Sequence, residues 1–120
     1  MADIKVMYSK KSDNWKTPEK LYRAIMNKGY FDPCPYNSPI NGLLYNLYNT
    51  KIYVNPPFSQ MKVWIDWILE QQLNNCDIIL LIPARTDTKY FHEILLRNPD
   101  IYFIKGRLHY NESEKKRSFP

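Results

Sequence analysis

Four consecutive residues, Asn55, Pro56, Pro57 and Phe58, stand directly after the β-branched and aromatic run Lys51-Ile52-Tyr53-Val54. The run predicts a strand, and the prolines predict its abrupt end. Two consecutive prolines fix φ, stiffen the loop and remove two backbone donors, so carbonyl acceptors are what the loop offers to a ligand. The Asn55 side-chain carbonyl and the Pro56 backbone carbonyl together can accept both hydrogens of a planar amino group. Phe58 adds a flat face on which a base can stack, worth about 1–3 kcal/mol. This set suits one particular chemical difficulty. The exocyclic amine of adenine is a poor nucleophile because its lone pair is delocalised into the ring. Two fixed acceptors hold its hydrogens, favour a pyramidal nitrogen and aim the lone pair at an activated methyl group for in-line displacement. The competing reading, a plain loop with Phe58 in the core, loses weight once the preceding strand is counted.

The elements that would position this loop are legible on either side of it. Met61, Trp64, Ile65 and Ile68 recur at helical spacing and predict an amphipathic helix to about Leu73, with Trp67 also most simply a core residue. Asp77-Ile78-Ile79-Leu80-Leu81-Ile82, closed by Pro83, is a continuous apolar run of the kind buried on both faces in a parallel sheet. A short helix from Thr88 to Leu96, with Phe91, Ile94 and Leu95 inward, and a strand from Ile101 to Ile104 follow. Upstream, Thr17-Pro18-Glu19 resembles a helix start with Thr17 at the N-cap and Pro18 at the first helical position, and Gly29 ends that helix. Tyr30 and Phe31 read as a short strand running into a proline-rich loop, and Asn41-Gly42 as a turn. Helices alternate with strands, so the class is α/β. In such sheets ligands bind outside the carboxyl ends of the strands, which is where Asn55 to Phe58 would lie.

Composition sets the outer limits. The 120 residues are 44% hydrophobic and 15% aromatic, enough for one core and for one domain. Ten Tyr and three Trp against three Gly argue against a glycine-rich cofactor loop and in favour of stacking surfaces. Cys34 and Cys76 are far apart with no histidine cluster beside them, so neither a metal site nor a disulfide framework is expected. A formal net charge of +5 favours a polyanionic partner. No run approaches the roughly 20 apolar residues of a membrane helix, so a cytoplasmic protein is expected. Three regions are expected: residues 1–14 as a flexible basic arm, residues 15–110 as the folded domain and residues 111–120 as a charged, flexible tail.

The chain resembles the phage-type, Dam-like DNA N6-adenine methyltransferases over nearly its whole length. Six segments carry the resemblance in order: Asp13-Asn14-Trp15-Lys16-Thr17-Pro18, Phe31-Asp32-Pro33-Cys34-Pro35, Asn41-Gly42-Leu43, Asn55 to Phe58, Leu81 to Thr88 with Tyr90-Phe91-His92, and Phe103-Ile104-Lys105-Gly106-Arg107-Leu108. The resemblance implies a small Rossmann-like methyltransferase sheet with flanking helices, S-adenosylmethionine as methyl donor, and a flipped-out adenine of DNA as acceptor, in a bacterial or phage-infected cell. A further apolar strand would be expected after residue 110. Without it, either a partner or oligomer completes the sheet or the protein is a shortened relative.

Residue roles follow from the same resemblance. Asn55, Pro56, Pro57 and Phe58 form the catalytic loop. Thr17, Pro18, Asp32, Pro33, Cys34 and Asn41 face the donor, because a helix start suits its carboxylate and an acid suits its ammonium group. Asn41 stands where the family often has the acid that would face the donor ribose. Trp15 either packs on the adenosine or covers the core, and Asp32-Pro33 taken alone is equally an ordinary strand-ending turn. Arg85, Thr86 and Asp87 are expected at the target base or the DNA backbone, with an internal Arg85–Asp87 pair as the alternative. Lys105 and Arg107 are expected at phosphates, or else simply solvated. His92 and His109 receive no catalytic role, and no nucleophilic role is expected of Cys34, for which the sequence identifies no activating base. Two other functions stay open: a donor- or DNA-binding relative that no longer methylates, and the same chemistry on an RNA adenine or a protein glutamine amide.

Overall fold

In the strands Lys51–Val54 (β2) and Asp77–Ile82 (β3), every residue from Ile52 to Val54 and from Ile78 to Ile82 is buried. That is the pattern of strands covered on both faces, and the two pair in parallel from Lys51 with Asp77 to Val54 with Leu80. The computed structural model describes residues 4–8, 17–35, 41–103, 109–112 and 115–118. Side-chain alternation sends Ile52, Val54, Ile78, Leu80 and Ile82 to one face, against Met61, Trp64, Ile65 and Ile68 of α2 (Met61–Leu73) and Phe91 and Ile94 of α3 (Lys89–Leu95). Tyr53, Ile79 and Leu81 face the other way, against Ile25, Leu21, Tyr22 and Met26 of α1 (Glu19–Met26). The result is an α/β layering around a four-stranded parallel sheet, compatible with a Rossmann-like arrangement.

The strand order is β2-β3-β1-β4, with Ile4–Tyr8 as β1 and Asp100–Phe103 as β4. Here the structure departs from the expected basic arm over residues 1–14. Residues 4–8 form an interior strand, paired in parallel with β3 on one side and β4 on the other. Ile4 is buried at 2% exposure. The alternation of Ile4, Val6 and Tyr8 was present in the sequence, but the lysine-rich flank outweighed so short a signal. The expected charged tail also contains structure, because His109–Glu112 (β5) and Lys115–Ser118 (β6) pair as an antiparallel ladder. Ladder pairing uses backbone groups, so a charged sequence does not preclude it.

Other departures are local. Helix α1 begins at Glu19 with Pro18 at the N-cap and no side-chain cap, one residue later than Thr17 and Pro18 suggested. Leu95 is half-exposed rather than inward. Asn41 is the cap of a single 3-10 turn, Gly42–Leu44, its side chain accepting from the Leu43 amide at 3.1 Å. The Tyr30–Phe31 strand is reduced to one parallel bridge between Phe31 and Ile52. Its hydrogen bonds run from the Phe31 amide to the Lys51 carbonyl and from the Tyr53 amide to the Phe31 carbonyl, each 2.8 Å.

These pairings decide where the loops lie. Parallel strands put all their carboxyl ends along one edge, so Asp32 after Phe31, Asn55 after β2 and Pro83 after β3 leave the sheet on the same side. The segment from Tyr45 to Leu47 is tied to α2, with Trp67 Nε1 donating to the Tyr45 carbonyl at 2.9 Å and the fully buried Gln71 accepting from the Leu47 amide at 2.7 Å.

Candidate active site

Asn55 leaves β2 at that carboxyl edge, and its amide is held from below. Its Nδ2 donates to the Thr17 hydroxyl at 3.1 Å, and that hydroxyl lies 2.6 Å from the Tyr53 hydroxyl. Thr17 is 7% exposed and Tyr53 fully buried. A tyrosine hydroxyl inside a buried strand needs a polar partner, and Thr17, two residues before α1, supplies it. Pro56, the next residue, is buried. The two proline carbonyls differ: Pro57 accepts from the Gln60 amide at 3.0 Å, closing the 3-10 turn Phe58–Gln60. Among the described residues no hydrogen bond reaches the Pro56 carbonyl.

Phe58 is 38% exposed, so it is a surface ring and not a core residue. The guanidinium of Arg85 sits over its face, 5.6 Å from the ring centroid. Among the described residues no ion pair joins Arg85 to Asp87. The loop carrying Arg85, Thr86 and Asp87 follows β3 and is pinned at its far end. Thr88 donates its hydroxyl to the Arg85 carbonyl at 2.7 Å and caps α3 through the Phe91 amide, while His92 Nε2 donates to the Thr86 carbonyl at 2.9 Å. His92 thus has a structural task that lone-histidine reasoning did not assign.

The third segment gathers around Asp32. Its carboxylate accepts from the Cys34 amide at 2.9 Å and from the Tyr22 hydroxyl at 3.0 Å. Burial is the largest influence on it and raises its pKa, against the opposing effect of those two hydrogen bonds. Tyr22 is pushed up to about 12, by burial first and then by the Asp32 charge and hydrogen bond. Among the described residues no cation pairs with Asp32. The charged form of such a buried carboxylate is favoured by any cation brought close to it. Gly42 packs directly on this loop: a Cβ there would fall on the carbonyl and the Cβ of Pro33. Asn41 and Gly42 are thereby brought beside Asp32, Pro33 and Cys34.

The structure thus brings together Thr17, Pro18, Asn55, Pro56, Pro57, Phe58 and Arg85, and separately Asp32, Pro33, Cys34, Asn41 and Gly42. Tyr22 links the two groups, with its hydroxyl on Asp32 and its ring edge-on to Tyr53 at 6.1 Å. Trp15, Lys105 and Arg107 lie outside the described residues. Sequence reasoning gave no site role to Tyr22, Gly42 or Tyr53, although a tyrosine amid an otherwise aliphatic buried strand is a readable signal. Among the described residues no group of His, Cys, Asp and Glu could hold a metal ion, and no helix is long and apolar enough to cross a membrane.

Comparison with known proteins gives a family. Residues 36–119 match the family described as DNA N-6-adenine-methyltransferase (Dam). A DNA N-6-adenine-methyltransferase of Escherichia phage T1 is 24% identical over 110 residues, covering 80% of this chain and 46% of the relative. The chain therefore spans about half the length of that curated relative. No solved structure matches it.

Proposed function

Because the chain belongs to the DNA N-6-adenine-methyltransferase (Dam) family, we propose that it transfers a methyl group from S-adenosylmethionine to the N6 amine of adenine in DNA, acting in the cytoplasm of a bacterial or phage-infected cell. The observation that carries this reading is the Asn55 amide, held by Thr17 at the carboxyl edge of a parallel sheet with the exposed Phe58 ring beside it. In this reading Nδ2 stays on Thr17 and the Oδ1 branch accepts from the incoming amine. The Pro56 carbonyl supplies the second acceptor, and the proline pair keeps both from drifting. Holding both amine hydrogens localises the nitrogen lone pair and aims it, a positioning effect that requires no titrating side chain.

Bound S-adenosylmethionine would supply an electrophilic methyl group. Asp32 would take its ammonium, with Pro33, Cys34 and Asn41 on the loops beside it, and with Trp15 and Pro18 assigned to the donor by the family resemblance. Gly42 keeps the Asp32 loop in place. Replacing it with alanine should displace Pro33 and weaken donor binding about tenfold, with a stability loss of about 1–3 kcal/mol. Isothermal titration with S-adenosylmethionine and a thermal melt check both parts.

DNA contacts are assigned to Arg85, Thr86 and Asp87, with Lys105 and Arg107 as further phosphate contacts. A base leaving the duplex costs a few kcal/mol of unstacking, which stacking on Phe58 partly offsets. Phe58→Ala should therefore raise KM for DNA about tenfold, and should reduce the fluorescence rise of 2-aminopurine placed at the target position. An unchanged 2-aminopurine response would remove the stacking role.

The deciding experiment is transfer of labelled methyl from S-adenosylmethionine to unmethylated duplex DNA, with nucleoside analysis of the product. Label recovered as N6-methyladenine supports the proposal. Its absence from DNA, with label on RNA or on a glutamine amide instead, reassigns the acceptor. No label anywhere, from a sample that melts cooperatively, leaves a binding protein.

A further inference from the structure

We propose that Thr17 is a positioning residue that sets which way the Asn55 amide faces, with Tyr53 as its support. This rests on the reading of Asn55 as the acceptor for the substrate amine. The Asn55 amide is planar and two-sided: one branch, Nδ2, only donates, and the other, Oδ1, only accepts. Turned by 180° the group would fill the same space, yet it would offer N–H groups to a substrate amine whose own N–H groups face it. Only one of the two orientations is productive, and packing alone discriminates poorly between them. In the proposed arrangement the Thr17 hydroxyl gives its own proton to Tyr53, which leaves it only lone pairs for Asn55, so it accepts from Nδ2 at 3.1 Å and would have no proton for a flipped Oδ1.

The hydroxyl is itself held in place. It lies 2.6 Å from the Tyr53 hydroxyl, on a residue fully buried in β2, two positions before Asn55. Its backbone precedes Pro18, whose carbonyl accepts from the Tyr22 amide at 2.9 Å as the first hydrogen bond of α1. Thr17 therefore cannot follow a rotating amide without moving the helix start or breaking a buried hydrogen bond. A donor-binding role for Thr17, as the family resemblance implies, makes a different prediction: its hydroxyl would matter for donor affinity rather than for turnover.

The test compares Thr17→Val, which keeps the shape and removes the hydroxyl, with Thr17→Ser, which keeps the hydroxyl. Methyl transfer to duplex DNA, donor affinity by titration, and hydrogen exchange of the Asn55 side-chain amide by 15N NMR are measured for each. The Asn55 signal is assigned by its loss in Asn55→Ala. Thr17→Val is expected to lower kcat about 10- to 100-fold while donor Kd stays within about twofold. Its Asn55 amide protons should exchange faster than those of the wild type, and Thr17→Ser should behave like the wild type in all three measurements. Should Thr17→Val melt below the assay temperature, Tyr53→Phe carries the test, with a smaller loss in kcat and the same unchanged Kd. Unaltered kcat in the folded variant overturns the proposal, as does a loss confined to donor affinity. A wild type that transfers no methyl group while its Asn55 amide remains protected overturns the methyl-transfer reading and leaves the Thr17–Asn55 bond standing as a structural contact.

Discussion

Replacing Asn55 with alanine is expected to lower kcat for methyl transfer by about 10³-fold or more, while S-adenosylmethionine binds within about threefold of its wild-type affinity. The loss is large because the reaction is driven by placement. Without the side-chain acceptor, one amine hydrogen has no partner, the lone pair stays delocalised into the ring, and the nitrogen is no longer held in line with the methyl group. Donor binding should survive because the Asp32 carboxylate is held by the Cys34 amide and the Tyr22 hydroxyl, whereas Asn55 is held by Thr17. Asn55→Asp separates the two functions of the amide. A carboxylate keeps the acceptor atoms but cannot donate to Thr17, so activity between those of the wild type and the alanine variant is expected. Single-turnover kinetics with nucleoside analysis checks both variants, and an alanine variant with most of its turnover intact would remove the mechanism.

The second large effect concerns stability. Deleting residues 1–8 should leave a chain with no cooperative thermal transition, although a polar arm could have been removed at little cost. Strand β1 lies between β3 and β4, so its loss leaves one edge of β3 without its ladder and detaches β4 from the sheet altogether. Unpaired interior backbone groups and newly uncovered apolar surface are set against the 5–15 kcal/mol that a domain of ordinary stability has in reserve. A milder substitution gives a graded readout. Ile4→Ala truncates a side chain at 2% exposure and should cost about 2–5 kcal/mol, lowering Tm by about 10 °C or more. A deletion variant that melts like the full chain would show that β1 contributes nothing to the core.

The loss of β1 would reach the site as well as the core. Its removal would unsettle Ile78 to Ile82 in β3, the strand that carries Pro83 and the Arg85 loop to the carboxyl edge. Activity in partly destabilised variants should therefore fall together with the folded fraction. Asn55→Ala should instead lose activity with its melting curve little changed. Measuring both quantities on both variants separates damage to the scaffold from damage to the chemistry.

What was legible in the chain was whatever depends on local spacing. Asp77 to Ile82 read as a doubly buried strand, because six consecutive residues without a solvent-facing period leave few alternatives. Met61 to Leu73 read as a helix because Met61, Trp64, Ile65 and Ile68 recur at helical spacing, and Asn55 to Phe58 read as a stiff acceptor loop because proline chemistry is local. Periodicity says which face a side chain takes, and says nothing about which distant residue meets it there. That choice belongs to strand order, which placed the short N-terminal run Ile4 to Tyr8 in the middle of the sheet. It also carried Thr17 across 38 positions to Asn55, laid Arg85 over Phe58, and seated Gly42 on Pro33. Each of those contacts joins residues on separate elements, so its free energy exists only once the sheet has assembled.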